Sequence, residues 1–130
     1  MKPALILFAH GARDPRWAEP FCKLREMIGA MRPELDVSLA FLDFMEPRLP
    51  DRVRELAQAG CGVITVVPVF FGQGGHVLRD LPPMLDALRS AHPAIRLAVA
   101  PAVGEDPGVL NAIVSYCIAS VDGGEVKGNT

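Results

Sequence analysis

Four apolar runs alternate strictly with four amphipathic stretches along this chain, and that order admits few folds. Residues 4 to 9 form a continuous apolar run, Val37 to Phe44 a second, Gly62 to Phe71 a third and Ile95 to Ala100 a fourth. The third is rich in β-branched residues with no polar alternation, the pattern of a strand covered on both faces. Between the runs, Asp14-Pro15 offers an N-cap followed by proline at the first helical position, and Trp17, Phe21, Leu24, Ile28 and Met31 recur as one helical stripe that Pro33 ends. Leu49, Val53, Leu56 and Ala57 mark a second helix stopping at Gly60. Asp80, Leu81, Met84, Leu85 and Leu88 mark a third, with Asp80 read as its N-cap, and Asp106-Pro107 opens a fourth that runs to about Ser120. Strand and helix in strict alternation predict an α/β fold. It is a single-domain three-layer sandwich, a four-stranded parallel sheet with right-handed crossovers and helices on both faces. The domain spans 1–120, and the glycine-rich polar segment 121–130 is read as a flexible tail.

At 130 residues, half of them hydrophobic, one domain buries roughly 68 % of the surface its unfolded chain exposes and folds without a staple. Cys22, Cys61 and Cys117 are widely spaced, form no CxxC, and are read as small core residues in a reducing compartment. The apolar run after Lys2 is too short for a leader, and His10-Gly11-Ala12-Arg13-Asp14 follows where a cleavage site would stand. No stretch approaches the roughly 20 apolar residues of a membrane span. A net charge of −2 without a Lys/Arg block argues against a nucleic-acid partner. The expectation is a cytoplasmic protein that engages neither membrane nor nucleic acid.

In an open parallel sheet, ligands bind at the carboxyl ends of the strands. His10, Asp43, Glu46, His76 and Asp80 all fall on that edge, from three separate loops. His92 falls at the opposite end and is read as a surface residue near a helix C-terminus. Two imidazoles converging with Glu46 point to a metal-handling site. A His pair with one carboxylate suits Fe, Co, Ni or Zn and leaves coordination positions open. Gly72, Gly74 and Gly75 would let the backbone approach either an anion or a large flat ligand, and their spacing matches neither phosphate-loop pattern. Arg13, Arg16, Arg48 and Arg79 decorate the same edge and could pair with ligand carboxylates. Phe70, Phe71 and Val77 offer apolar contact.

Taken in order, His10-Gly11-Ala12-Arg13-Asp14-Pro15, Phe41-Leu42-Asp43 with Glu46-Pro47 and Leu49-Pro50, Val67-Pro68-Val69-Phe70-Phe71, and Gly74-Gly75-His76-Val77 with Asp80-Leu81-Pro82 form a specific set. The set resembles the short, CbiX-type sirohydrochlorin chelatases, single-lobe members of the anaerobic class II chelatases, over residues 4 to 118 or so. The resemblance implies a chelatase-like fold and ATP-independent insertion of Co2+ or Fe2+, in some relatives Ni2+, into sirohydrochlorin, in cobalamin or siroheme biosynthesis. The divalent metal is then a substrate and no permanent cofactor is expected. By the match, His10 is metal ligand and proton acceptor and His76 the second ligand. Glu46 with Phe71, Gly72, Gln73, Gly74, Gly75 and His76 contacts the tetrapyrrole. Many relatives carry serine where this chain has Ala12. Because two-lobed relatives hold the site between halves, the short form is expected to pair as a homodimer.

The residue chemistry agrees. Metal insertion removes two pyrrole protons and transfers a hydrated cation to four nitrogens, and imidazole, with an ordinary pKa of about 6.5, can hold a metal and then accept a proton. The main rival is a non-catalytic tetrapyrrole or metal carrier or sensor using the same edge. A phosphotransfer enzyme with His10 as nucleophile fits poorly, since Ala9 and not arginine precedes the His-Gly pair.

Overall fold

The computed structural model describes residues 2–72 and 75–123, and the side chains of 75–78 are outside that description. Its strands are β1 (Ala4–Ala9), β2 (Asp36–Phe41), β3 (Val63–Pro68) and β4 (Arg96–Val99). All pair in parallel in the order β2-β1-β3-β4, with Leu7 of β1 opposite Leu39 and Val67. The helices are α1 (Glu19–Met31), α2 (Leu49–Gln58), α3 (Gly75–Ala91) and α4 (Pro107–Asp122). The expected α/β class, strand count and parallel pairing are all present.

Each strand sends alternate residues to opposite faces. Ile6, Phe8, Ala40, Ile64, Val66 and Leu97 face α2 and α3, where Leu49, Val53, Leu56, Leu81, Leu85 and Leu88 complete the main core. Leu7, Ala9, Leu39 and Phe41 face the other way and meet Trp17, Phe21 and Ile28. Leu24 and Met31, expected in the same stripe, are exposed, because α1 packs against β2 and leaves the far half of that face bare. α4 contributes to neither core, and none of its residues is buried.

Several boundaries depart from the pattern-based reading for identifiable reasons. Asp14 does cap, accepting the Arg16 N–H at 2.9 Å, but the turn it opens is a 3-10 turn over Pro15–Ala18. Pro20 has no N–H to offer the preceding turn, so the α-helix begins afresh at Glu19. β2 ends at Phe41, because Phe44 sits at φ 68°, outside any strand conformation. α3 begins at Gly75, five residues before Asp80. Asp80 is therefore an exposed residue inside a helix and not its N-cap. Pro82 and Pro83 both lie within α3. α4 extends through Val121 and Asp122, and residues 124–130 lie outside the described residues. Cys22 and Cys61 are half-buried as thiols, whereas Cys117 is exposed on α4 and is not a core residue.

Candidate functional site

In the order β2-β1-β3-β4, the chain leaves β1 toward β2 on one side and returns to β3 on the other. The crevice at the carboxyl ends of β1 and β3 is therefore the topological switch point, where open α/β sheets bind ligands. His10 follows β1 directly, is exposed, and rests its ring on Phe70 from the segment after β3, with centroids 4.3 Å apart and planes tilted by 36°. Phe70 itself is only 2 % exposed and packs on Phe8, centroids 5.6 Å apart. The expectation that Phe70 contacts a ligand is thus corrected: a ring so enclosed serves as the floor beneath His10. Phe71, the next residue, is 66 % exposed and does face solvent.

Two close backbone approaches hold the loops around this ring. Gly11 adopts φ +92°, and a Cβ on it would stand 1.8 Å from the Asp43 carbonyl oxygen, so only glycine lets the loops after β1 and β2 meet. The Asp43 N–H donates to the His10 carbonyl at 3.0 Å. On the other side, a Cβ at Gly104 would lie 1.7 Å from the Phe71 carbonyl oxygen, and the Gly104 N–H donates to the Phe70 carbonyl at 3.0 Å. The loop after β4 thereby clamps the Phe70-Phe71 backbone. No sequence signal marked Gly104, since an isolated glycine near a 3-10 turn has many uses.

Phe44 was also missed, having been absorbed into the second strand. Its ring is 54 % exposed and the Arg13 guanidinium lies 5.0 Å from its centroid, a cation–π contact between the loops after β1 and β2. The other arginines of the edge are differently placed. Arg16 is bound to Asp14 at 2.7 Å and Arg48 to Asp43 at 2.9 Å, while Arg79 is exposed in α3. The Arg16 side chain holds the Asp14 carboxyl below its ordinary value, helped by the Arg16 N–H; the same bond raises Arg16.

Glu46 opens onto a recess on the α1 side of β2. It is exposed in the loop after β2, followed by a cis bond to Pro47, and lines a cleft of about 820 Å³ between α1, β2 and α2. His10 does not line that cleft. Two of the three arginines that line the cleft are already engaged, Arg52 with Asp36 and Glu55 and Arg54 with Asp51, which makes it a weaker candidate than the switch point despite its volume. Gln73 and Gly74 lie outside the described residues, as does the His76 side chain; the backbone at 75 and 76 opens α3 on the same edge. Gly72 is exposed with open space around its Cα. Among the described residues no three His, Cys, Asp or Glu side chains converge on a common point.

Comparison with known proteins gives a consistent result. The CbiX family model matches residues 4–118. A sirohydrochlorin cobaltochelatase of Methanocaldococcus jannaschii is 35 % identical over 89 residues, 68 % of this chain and 62 % of that protein, so the chain spans under two-thirds of that relative's length. A CbiX protein from Marinobacter aquaeolei VT8 superposes with a TM-score of 0.80 at 30 % identity, over 92 % of this chain and 97 % of that one. The sirohydrochlorin chelatase SirB from Bacillus subtilis subspecies spizizenii, solved with cobalt, shares the fold with a TM-score of 0.74 at 24 % identity, over 91 % of this chain but 50 % of its own.

Proposed function

This chain belongs to the CbiX family, and from that premise we propose that it inserts a divalent metal, Co2+ or Fe2+, into sirohydrochlorin without ATP. The observation that carries the proposal is His10 itself, an exposed imidazole at the switch point, seated on a buried aromatic ring. The metal is a substrate and no permanent cofactor is required. In this reading neutral His10 first meets the incoming hydrated cation and then accepts a pyrrole proton as the nitrogens take the metal. His76 is assigned as the second ligand from its place in the sequence at the start of α3. The exposed rings of Phe71 and Phe44 support contact with an apolar macrocycle face, and Arg13 supports recognition of rim carboxylates. Glu46 and residues 72–75 complete the proposed substrate contacts, with Glu46 as an assisting base. A second copy of the chain supplies the opposing wall, a reading supported by the match to SirB over only half of that protein's length. Three free thiols accord with a reducing, cytoplasmic setting.

The test is visible spectroscopy of sirohydrochlorin mixed with the protein and with Co2+, Fe2+ or Ni2+ in turn. Insertion gives a metallated spectrum at a rate that scales with protein, and His10→Ala, a change at an exposed side chain, loses nearly all of that rate while remaining folded. A shifted but metal-free spectrum in the presence of Co2+ would identify a carrier instead. Full turnover by His10→Ala would remove His10 from the reaction.

A further inference from the structure

The two edges of the sheet are finished differently. At the β4 edge the Arg89 guanidinium reaches over from α3 and donates to the outward Leu97 carbonyl through Nε and Nη2, at 3.2 and 2.9 Å. At the β2 edge the chain closes a single position: the Phe41 N–H donates to the Pro47 carbonyl at 2.9 Å, and Phe41 pairs with Arg48 in an isolated parallel bridge. Along β2 the backbone alternates, the Asp36 and Leu42 N–H groups donating inward to the carbonyls of Pro3 and Ala9. Val37 and Leu39 therefore turn their N–H and C=O groups away from β1, as Phe41 does, and among the described residues neither has a backbone partner on that side. Such a row of unpaired groups is a template for another extended chain.

The cleft of about 820 Å³ between α1, β2 and α2 lies along this open stretch, with Leu39 in its wall and Cys22, Phe41 and Met45 adding apolar surface. Its charges leave one cation over. Arg52 is bound to Asp36 and Glu55 and Arg54 to Asp51, whereas Arg25, half-buried on α1, has no carboxylate partner among the described residues. We propose that the β2 edge takes up an extended peptide with a free carboxylate terminus, added as a fifth strand, its backbone exchanging hydrogen bonds with Leu39 and Val37 and its carboxylate pairing with Arg25. The occupant follows from the groups on offer. An N–H and a C=O of one residue, both facing out of a strand, are matched together by one residue of an antiparallel neighbour. Charge gives the same polarity. Glu46 lines the cleft at the carboxyl end of β2 and repels a carboxylate there, while α1 runs back from that end and carries Arg25 toward the other. The peptide thus runs antiparallel to β2 and stops short of Phe41, whose slot the chain's own Pro47 fills.

NMR of the full isotope-labelled chain tests this with a free-acid tetrapeptide of alternating valine and threonine. Added peptide is expected to move the Val37 and Leu39 amide signals most and to slow their hydrogen exchange. Arg25→Gln, or amidation of the peptide's carboxylate, should each weaken binding about tenfold, and the two together no further than either alone. Binding undiminished by both changes would overturn the pairing with Arg25, and equal binding by the same peptide N-methylated at every amide would overturn strand addition. Valerate moving the same signals as strongly would show a small-acid pocket instead, and Val37 and Leu39 signals that shift with protein concentration alone would assign the edge to a second copy; either result would overturn the peptide reading. Shifts confined to other residues, or none at millimolar peptide, would refute it outright. Arg25 has no place in the metal-insertion reading, so the two stand or fall separately.

Discussion

Replacing Gly11 by alanine should damage the protein well beyond what one methyl group ordinarily does. At φ +92° an L-residue carries a conformational penalty of about 1–2 kcal/mol. The new Cβ would also stand 1.8 Å from the Asp43 carbonyl oxygen, whereas real Cβ contacts stay beyond 3.0 Å, so that oxygen must retreat by at least 1.2 Å (3.0 − 1.8). Such overpacking costs about 1–3 kcal/mol, and the shift disrupts the Asp43 N–H bond to the His10 carbonyl, worth about 1 kcal/mol. Together these come to about 3–6 kcal/mol, a large share of the 5–15 kcal/mol or so that holds an ordinary domain folded. With an unfolding entropy of about 2.1 cal/mol/K per residue over 130 residues, 1 kcal/mol moves Tm by about 4 °C, so Gly11→Ala should melt about 10–20 °C early. Gly29→Ala is the control. It lies in α1 with nothing within 4 Å of the added methyl, and alanine there should stabilise by about 0.5–1 kcal/mol. Thermal melts by circular dichroism at one scan rate read both. A Gly11→Ala melt within 3 °C or so of wild type, or equal losses in the two variants, would refute the reasoning.

Three further outcomes are expected. Gly104→Ala, whose Cβ would meet the Phe71 carbonyl oxygen at 1.7 Å, should cost about 1–3 kcal/mol and slow metal insertion by moving Phe70 from beneath His10; a normal melt with normal turnover would count against the clamp. Phe44→Ala removes a half-exposed ring under Arg13 and should leave Tm nearly unchanged while raising KM for the tetrapyrrole about fivefold, the equivalent of about 1 kcal/mol, with kcat steady; an unaltered KM would exclude Phe44 from the contact surface. The Asp14 carboxyl, held below its ordinary value of 3.8 by Arg16, contributes stability present above that value and lost as pH falls through the lowered one. A carbon-detected NMR titration should show Asp14 titrating below 3.8, and Arg16→Ala should return it upward; an unmoved Asp14 midpoint would show that Arg16 does not set it.

What the sequence made legible was whatever depends on periodicity. Alternating strand and helix patterns specified the parallel sheet because apolar runs covered on both faces have few other uses. The edge carrying His10, Asp43, Glu46 and Asp80 followed from topology alone. Contacts between loops did not follow, because they depend on a few backbone torsions and not on a repeating pattern. Phe44 looks like the end of a strand until its φ of 68° is known, and Gly104 looks like any loop glycine until the Phe71 carbonyl is seen against it. Glu46 reads as a residue of the same edge, and that it also lines the cleft beside α1 is visible only in the fold. The stripe from Trp17 to Met31 predicted continuous burial, but burial needs a facing layer, and at Leu24 and Met31 this chain supplies none.

How His10 is held bears directly on the chemistry proposed for it. Histidines that serve as fixed metal ligands ordinarily donate their second ring N–H to a carboxylate or carbonyl, which locks the tautomer and strengthens the ligand. Among the described residues, neither nitrogen of His10 makes a hydrogen bond; the ring is oriented by stacking on Phe70 and by the backbone locks at Gly11 and Asp43. Stacking restricts the plane of an imidazole while committing neither nitrogen. A residue that must bind a cation, release it and then take up a proton is served by that arrangement, whereas a tightly hydrogen-bonded ligand would retain the metal. The two glycine approaches thus do more than shape loops: they help to hold an exposed ring whose nitrogens make no hydrogen bond among the described residues, at the position where the strand order reverses.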